Sequence, residues 1–364
     1  MKSCRLYSLL LIPWALVSAP TLHSAQPHAP SITSLEAIHV AELHTGAVAD
    51  SVNMLIEDGE PVFRVDASRG GIRMRARVQA VHGRLLSLAR AGKEGDWVTT
   101  YRWPGVRVVA HRGGALLGPP ENTLPAIQRA IEVGADLIEI DIRQTKDGHL
   151  VLMHDTRVDR TTKGKGMVSE LTLEQIRRLE IRSASAEVIR VPTLREALEA
   201  MRGKIDADLD FKEGDLKALA AVVRETQMVE ASTFCSPHER CRELASIEPG
   251  IRLRPTADYP EQVRALIRDL RPALINLDWH AVTEEAVRSA HLGGCHAFVN
   301  CLETADTEFY ARLAAEAGAD YIQSDRPDRV VKLLKEMGLR KERPPLGDPL
   351  GTPLRASWLQ YPLR

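Results

Sequence analysis

The chain has 364 residues, of which 44% are hydrophobic and 27% charged, and its formal net charge is -1. That balance suits a globular protein with one large domain and something smaller beside it. It excludes a global field able to gather nucleic acid or an anionic membrane, so any anion-binding site must be local.

The first segment reads as an export signal. Lys2 and Arg5 precede a mostly apolar stretch over residues 6–19, and small residues follow at Val17-Ser18-Ala19 and Ser24-Ala25. This is a signal-peptide pattern with cleavage after Ala19 or Ala25, which places the mature chain in the periplasm or outside the cell. A membrane anchor is the competing reading, but the run falls short of the roughly 20 residues a spanning helix needs. No later stretch is apolar enough to span, so no transmembrane segment is expected once residues 1–25 are gone. Cys235, Cys241, Cys295 and Cys301 remain after the signal. An even number permits disulfides in an exported protein, and four buried thiols are the alternative.

Residues 31–105 alternate short apolar runs with turn residues and predict a small β-rich accessory domain. Residues 72–78 alternate apolar and basic side chains, as a half-buried strand does. Asp58-Gly59 and Gly70-Gly71 supply turns. The basic face of that strand is either a solvated exterior or a contact for an anionic surface.

From residue 106 the pattern changes to strands alternating with helices. Strands are predicted at 107–111, 137–143, 204–211, 231–235, 251–255, 274–278, 296–300 and 321–324. Eight βα units in this length predict a TIM-type (β/α)8 barrel over residues 106–338. An open doubly wound sheet is the alternative, and no GxGxxG loop supports it. One further strand, 150–154, follows the second too closely to return parallel. The Asp147-Gly148 turn instead predicts a hairpin that brings His154 back towards Glu139 and Asp141. Residues 339–364 carry five prolines, among them Pro344-Pro345, and predict an irregular or disordered tail.

Five clusters carry chemistry. His111-Arg112-Gly113-Gly114 follows an apolar strand at its C-terminal end, where barrel active sites lie. Histidine exchanges protons near neutral pH, and arginine grips phosphate with two donors. Pro120-Glu121-Asn122-Thr123 opens a helix, so Glu121 either supports the site or caps that helix. Glu139 and Asp141, at i and i+2 on an otherwise apolar strand, share a face that should be the barrel interior. Paired carboxylates there repel unless a cation joins them, and oxygen ligands suit Mg²⁺ or Ca²⁺. His154-Asp155 supplies a second histidine, giving an acid to complement a base. Asp208-Leu209-Asp210-Phe211-Lys212 repeats the carboxylate pattern and ends in a cation able to offset phosphate charge.

Taken in order, these motifs resemble those of the glycerophosphodiester phosphodiesterase family, a phospholipase-C-like barrel. The resemblance rests on residues 111–113, 120–123, 134–141, 147–155, 159–162 and 324–327, and spans about 106–335. It implies that His111 and His154 are the catalytic pair and that Arg112 and Lys212 hold the phosphate. It further implies that Glu139, Asp141 and Asp210 bind one divalent cation, Mg²⁺ or Ca²⁺, with Glu121 and Asn300 supporting the site. The implied reaction is hydrolysis of a small-molecule glycerophosphodiester to sn-glycerol 3-phosphate and an alcohol. The family usually carries glutamate where Asp210 stands, and Asp208, on the same strand face, is the alternative ligand. The strand 296–300 keeps the family's asparagine but lacks the tryptophan often found before it, which bears on substrate preference. Two other functions fit the same barrel: a phospholipase D of the sphingomyelinase type, and an inactive barrel that binds glycerophosphate polymers.

Overall fold

The computed structural model describes residues 30–91, 96–103, 105–184, 186–278 and 281–340. The expected signal at 1–25 and all of the tail from residue 341 lie outside the described residues.

The N-terminal module begins with a helix, Ser34–Thr45, that the β-rich reading of 31–105 did not contain. Thr33 and Glu36 form a reciprocal capping box at its start, and Gly46 closes it with φ 62°. Five antiparallel strands follow in simple order: β1 (Val48–Glu57), β2 (Glu60–Arg69), β3 (Ile72–Gln79), β4 (Leu85–Ala91) and β5 (Trp97–Arg102). At the first hairpin Asp58 and Gly59 both take positive φ, 53° and 85°, the geometry a two-residue hairpin turn demands. Phe63, Val65, Ala67, Met74, Ala76 and Val78 face the helix and pack with its Ala37, Val40 and Ala41. The intervening basic residues of β3 are neutralised across the sheet. Arg75 pairs with Asp66 at 2.6 Å, and Arg77 pairs with Glu57.

The barrel strands are β6 (Arg107–Ala110), β7 (Leu137–Gln144), β9 (Asp206–Phe211), β10 (Ser232–Cys235), β11 (Arg252–Leu253), β12 (Thr256–Ala257), β13 (Leu274–Asp278), β14 (His296–Asn300) and β15 (Tyr321–Ser324). They pair in parallel in the order β11-β10-β9-β7-β6-β15-β14-β13-β12. The two ends of that path are separated in sequence only by Arg254-Pro255, so β11 and β12 are halves of one staff and the barrel has eight positions. Proline has no N–H for the ladder and breaks the strand where it falls. Arg254 N still donates to Phe234 O at 2.8 Å, and Asn276 N to Pro255 O at 2.9 Å, which carries the pairing across the break. The additional strand β8 (Leu150–Leu152) pairs antiparallel with Ile142–Gln144 of β7, as the hairpin predicts.

The module is fastened to the N-terminal end of the barrel at Asp320, just before β15. Asp320 accepts from Arg84 Nε at 2.9 Å, from His291 Nε2 at 2.7 Å and from the Ala297 amide at 2.9 Å. Arg84 also stacks on the Trp103 ring. Among the described residues no disulfide joins Cys235, Cys241, Cys295 and Cys301, and the last three are buried. No helix among these residues is long and apolar enough to cross a membrane.

Candidate active site

All four residues of β6 are buried, and the strand delivers His111 to the mouth of the barrel. The chain then turns back through Arg112 at φ 50° and Gly113 at φ 83°. A Cβ on Gly113 would lie 2.8 Å from Ala126 Cβ, so the close approach of this turn to the helix Leu124–Glu132 requires glycine. The turn aims the Arg112 amide at Glu139 Oε2, 2.7 Å away. His111 Nδ1 contacts Asp325 Oδ1 at 2.7 Å, and its Nε2 stands 3.9 Å from Glu139 Oε2.

On β7, Glu139 and Asp141 are 1% and 0% exposed. Asp210 lies directly across from Asp141 in the register of β9. The ligand-capable oxygens of Glu139, Asp141 and Asp210 all lie within 4.8 Å of one another. Lys212 Nζ bridges two of them, at 2.6 Å from Asp210 Oδ2 and 3.1 Å from Asp141 Oδ1. Burial, then the charges of Asp141 and Asp210, push the Glu139 carboxyl well above its ordinary range. Asp210 rises too, chiefly by burial. Burial also acts to raise Asp141, but Lys212, Asn122, His154 and Arg112 outweigh it and hold that carboxyl low.

This cluster fits a divalent cation. Glu139 Oε1 is buried with no hydrogen-bond partner, and the donor set is oxygen alone, which suits a hard ion. Asp141 is presented by an intervening residue the sequence reading did not single out. Asn122 Nδ2 donates to Asp141 Oδ2 at 2.7 Å, and its Oδ1 accepts from the Asp141 amide at 3.0 Å.

His154 follows β8 and contacts Asp155 Oδ1 through Nδ1 at 2.8 Å. Arg160 holds both oxygens of Asp155, at 2.7 and 3.0 Å, and keeps that carboxyl far below its usual range. Each of the two histidines thus faces a carboxylate through Nδ1, Asp325 for His111 and Asp155 for His154.

One supporting residue stands elsewhere than expected. Asp208 is not an alternative ligand. It is fully buried against Arg254, with Nη2–Oδ2 at 2.7 Å and Nε–Oδ1 at 3.0 Å, and also accepts from Thr233. Residues two apart share a strand face but sit about 7 Å apart along it, so Asp208 lies a layer below the mouth. Glu139, opposite Asp208 in register, reaches the cluster because its side chain is longer. Glu121 contacts neither a histidine nor the carboxylate cluster. It lies between two arginines, 3.3 Å from Arg112 Nη1 and 2.7 Å from Arg160 Nη2, while Thr123 caps the helix. Asn300 does line the cavity with His111, Glu139 and Asp210.

A buried acidic cluster and two histidines, each paired with a carboxylate, thus meet at the C-terminal mouth of a parallel barrel, where barrel enzymes carry their active sites. Residues 111–238 match the model of the glycerophosphoryl diester phosphodiesterase family. A glycerophosphodiester phosphodiesterase of Caldanaerobacter subterraneus subsp. tengcongensis is 31% identical over 248 residues, 64% of this chain and 98% of that one. The crystal structure of a glycerophosphodiester phosphodiesterase from Agrobacterium tumefaciens superposes with a TM-score of 0.56 at 30% identity, over 61% of this chain and 98% of its own. A phosphodiesterase of Oleispira antarctica, solved with the product sn-glycerol-3-phosphate, shares the fold with a TM-score of 0.58 at 22% identity, over 64% of this chain and 97% of its own. The chain belongs to the glycerophosphodiester phosphodiesterase family, and a small-molecule glycerophosphodiester is its class of substrate. The family is generally metal-dependent, and the Glu139, Asp141 and Asp210 cluster could bind a metal.

Proposed function

We propose that the chain hydrolyses glycerophosphodiesters to sn-glycerol 3-phosphate and an alcohol, with His111 and His154 as the acid–base pair. The observation that carries this reading is the pairing of each Nδ1 with a carboxylate beside one acidic cluster. Each ring is thereby oriented with Nε2 free for proton exchange. A Mg²⁺ or Ca²⁺ held by Glu139, Asp141 and Asp210 would supply electrostatic stabilisation of charge developing on the phosphoryl oxygens. Arg112, steadied by Glu121, and Lys212, steadied by Asp210, offset the remaining phosphate charge. One Nε2 takes the proton of the glycerol hydroxyl as that oxygen attacks phosphorus. The other gives a proton to the departing alcohol oxygen, leaving a cyclic phosphodiester. Water then opens the ring as the two nitrogens exchange protons in the reverse sense. The product is the molecule held by the Oleispira antarctica phosphodiesterase of the same fold.

The test is release of sn-glycerol 3-phosphate from a panel of soluble glycerophosphodiesters, with lipid vesicles in parallel. Chelator should abolish turnover, and Mg²⁺ or Ca²⁺ should restore it. Full activity of a Glu139→Gln, Asp141→Asn double variant in chelator would overturn the metal-dependent reading. We also propose export, on the basis of Lys2, Arg5 and the apolar run behind them. Mass measurement of protein from its native cell should show loss of 19 or 25 residues, and an intact Met1 would rule export out.

A further inference from the structure

The end of the barrel opposite the active site carries a polar layer of its own. Arg107, Asp206, Arg252, His296 and Tyr321 are the first residues of β6, β9, β11, β14 and β15. Residues two apart on a strand share a face, so Asp206 and Arg252 point inward as Asp208 and Arg254 do above them. Asp206 opens the strand that carries Asp210 four residues later, about 13 Å nearer the mouth. Val109 and Phe298 pack with Leu137, Leu274 and Tyr321 inside the barrel, in an apolar cluster that borders this layer.

Arg252 is where the layer is unsatisfied. It is 8% exposed, and neither Nη1 nor Nη2 has a hydrogen-bond partner in the protein. Its Nε donates to the Ser232 carbonyl at 3.3 Å, which fixes the guanidinium and leaves those two groups unmet. Asp206 Oδ2 stands 3.5 Å from Nη2, an ion pair too long for a well-made hydrogen bond. Arg107 is buried too, with its guanidinium 6.0 Å from the Tyr321 ring, and its positive charge acts on Arg252. Two guanidiniums thus share one carboxylate among the described residues of this layer. His296 does not restore the balance. It faces Asp320 at 3.6 Å, and Arg84 and His291 already meet the charge of that carboxylate.

The chemistry that suits this layer follows from its charge. A guanidinium only donates, and a buried charge without a counter-charge is strongly destabilising. Water can meet the N–H groups and leaves the charge unbalanced, whereas a small anion meets both. Asp206 and His296 keep 25% and 18% of their side chains exposed, so an ion can enter from the N-terminal side. We propose that Arg252 and Arg107 bind a small inorganic anion, of the charge of chloride, at the N-terminal end of the barrel. The site is separate from the one that takes the substrate. It adjoins the Asp320 anchor of the N-terminal module through Tyr321, the next residue, and the bound ion strengthens the folded state there.

The test is urea unfolding of the full chain while chloride replaces gluconate, a bulkier anion, at constant ionic strength. An ion bound only by the folded protein lowers the unfolding equilibrium constant about tenfold for each tenfold rise in its concentration above Kd. The wild-type protein should show that dependence. Arg252→Met keeps the length of the side chain and removes its charge, so the dependence should vanish. Asp206→Asn removes the carboxylate that competes with the ion, so the dependence should set in at lower chloride. Wild-type stability that ignores chloride overturns the site. So does an equal dependence in Arg252→Met, which would place the ion elsewhere, the phosphate-binding groups of the active site included. A dependence that sets in at higher chloride in Asp206→Asn overturns the charge argument and the site with it. If the variants do not fold, wild-type crystals grown in bromide decide the case. An anomalous peak beside the Arg252 Nη groups upholds the site, and bromide found only elsewhere, or nowhere, overturns it.

Discussion

The acid–base role proposed for His154 requires that its ring be held. Asp155 contacts its Nδ1, and Asp155 is in turn gripped by Arg160, whose guanidinium also reaches Glu121. Glu121 closes the chain on Arg112, so one arginine is tied both to a histidine and to the arginine proposed to hold phosphate. Arg160→Gln should therefore lower kcat by about 10- to 100-fold, the usual cost of losing a group that orients another. Its pH profile should move as well. With Arg160 gone, the Asp155 carboxyl returns upward towards the ordinary range near 4. Activity should then fall on acidification at higher pH than in the wild-type enzyme, a change that a merely structural arginine would not cause. The histidines themselves have a sharper test. Replacing either His111 or His154 by Ala should cost roughly 10²–10⁴-fold in kcat. The double variant should lose far less than the product of the two. A diester with an activated leaving alcohol needs little protonation, so it should rescue only the variant lacking the acid. Near-normal turnover by both single variants would remove the acid–base assignment.

At the scale of elements, the turn over 120–123 shows how a loop positions a carboxylate on a neighbouring strand. Asn122 adopts φ 56°, a left-handed conformation asparagine tolerates, and from there bonds Asp141 in both directions. Asn122→Gly keeps the backbone free to turn but removes both bonds. It should weaken metal binding by about 10- to 100-fold in a calorimetric titration while the fold persists. Asn122→Ala adds backbone strain and should also lower stability by about 2 kcal/mol in denaturant unfolding. Unchanged metal affinity in the glycine variant would show that Asp141 needs no such support. The strands at this scale were legible in sequence, since buried parallel strands are short apolar runs between turn signals. The pairs at i and i+2 and the histidines at strand ends were legible for the same local reason. The helix Ser34–Thr45 was not, although its Thr33–Glu36 box stood in the sequence, because its apolar residues form no clean stripe and Leu35 is 74% exposed. Partners chosen by closure of the barrel left no local signal. Asp325 lies 214 residues from His111, and Arg254 lies 46 from Asp208. The depth of Asp208 was hidden likewise, since a shared face does not reveal a layer.

Across the whole molecule, the N-terminal sheet and the barrel meet at a charge removed from water. Asp320 is 2% exposed, and burial alone would raise its carboxyl. His291 and Arg84 outweigh that burial and hold it well below the ordinary value of 3.8. The module contributes Arg84, and the His82 carbonyl contacts His291 Nδ1 at 2.8 Å, so one carboxylate ties the module to two barrel segments. A group with a depressed folded pKa contributes stability that is present above its unfolded pKa. That contribution is lost as pH falls through the lower folded value. Asp320→Asn strands the Arg84 charge in a buried site and should cost about 3–5 kcal/mol at neutral pH. The difference between variant and wild-type protein should stay constant down to about pH 4 and shrink below it, as the unfolded wild-type chain takes up a proton that folded Asp320 accepts only at lower pH. Unfolding midpoints measured at several pH values check both the size and the window. If the difference instead persists undiminished into strong acid, packing around Asp320, and not its charge, holds the module on the barrel.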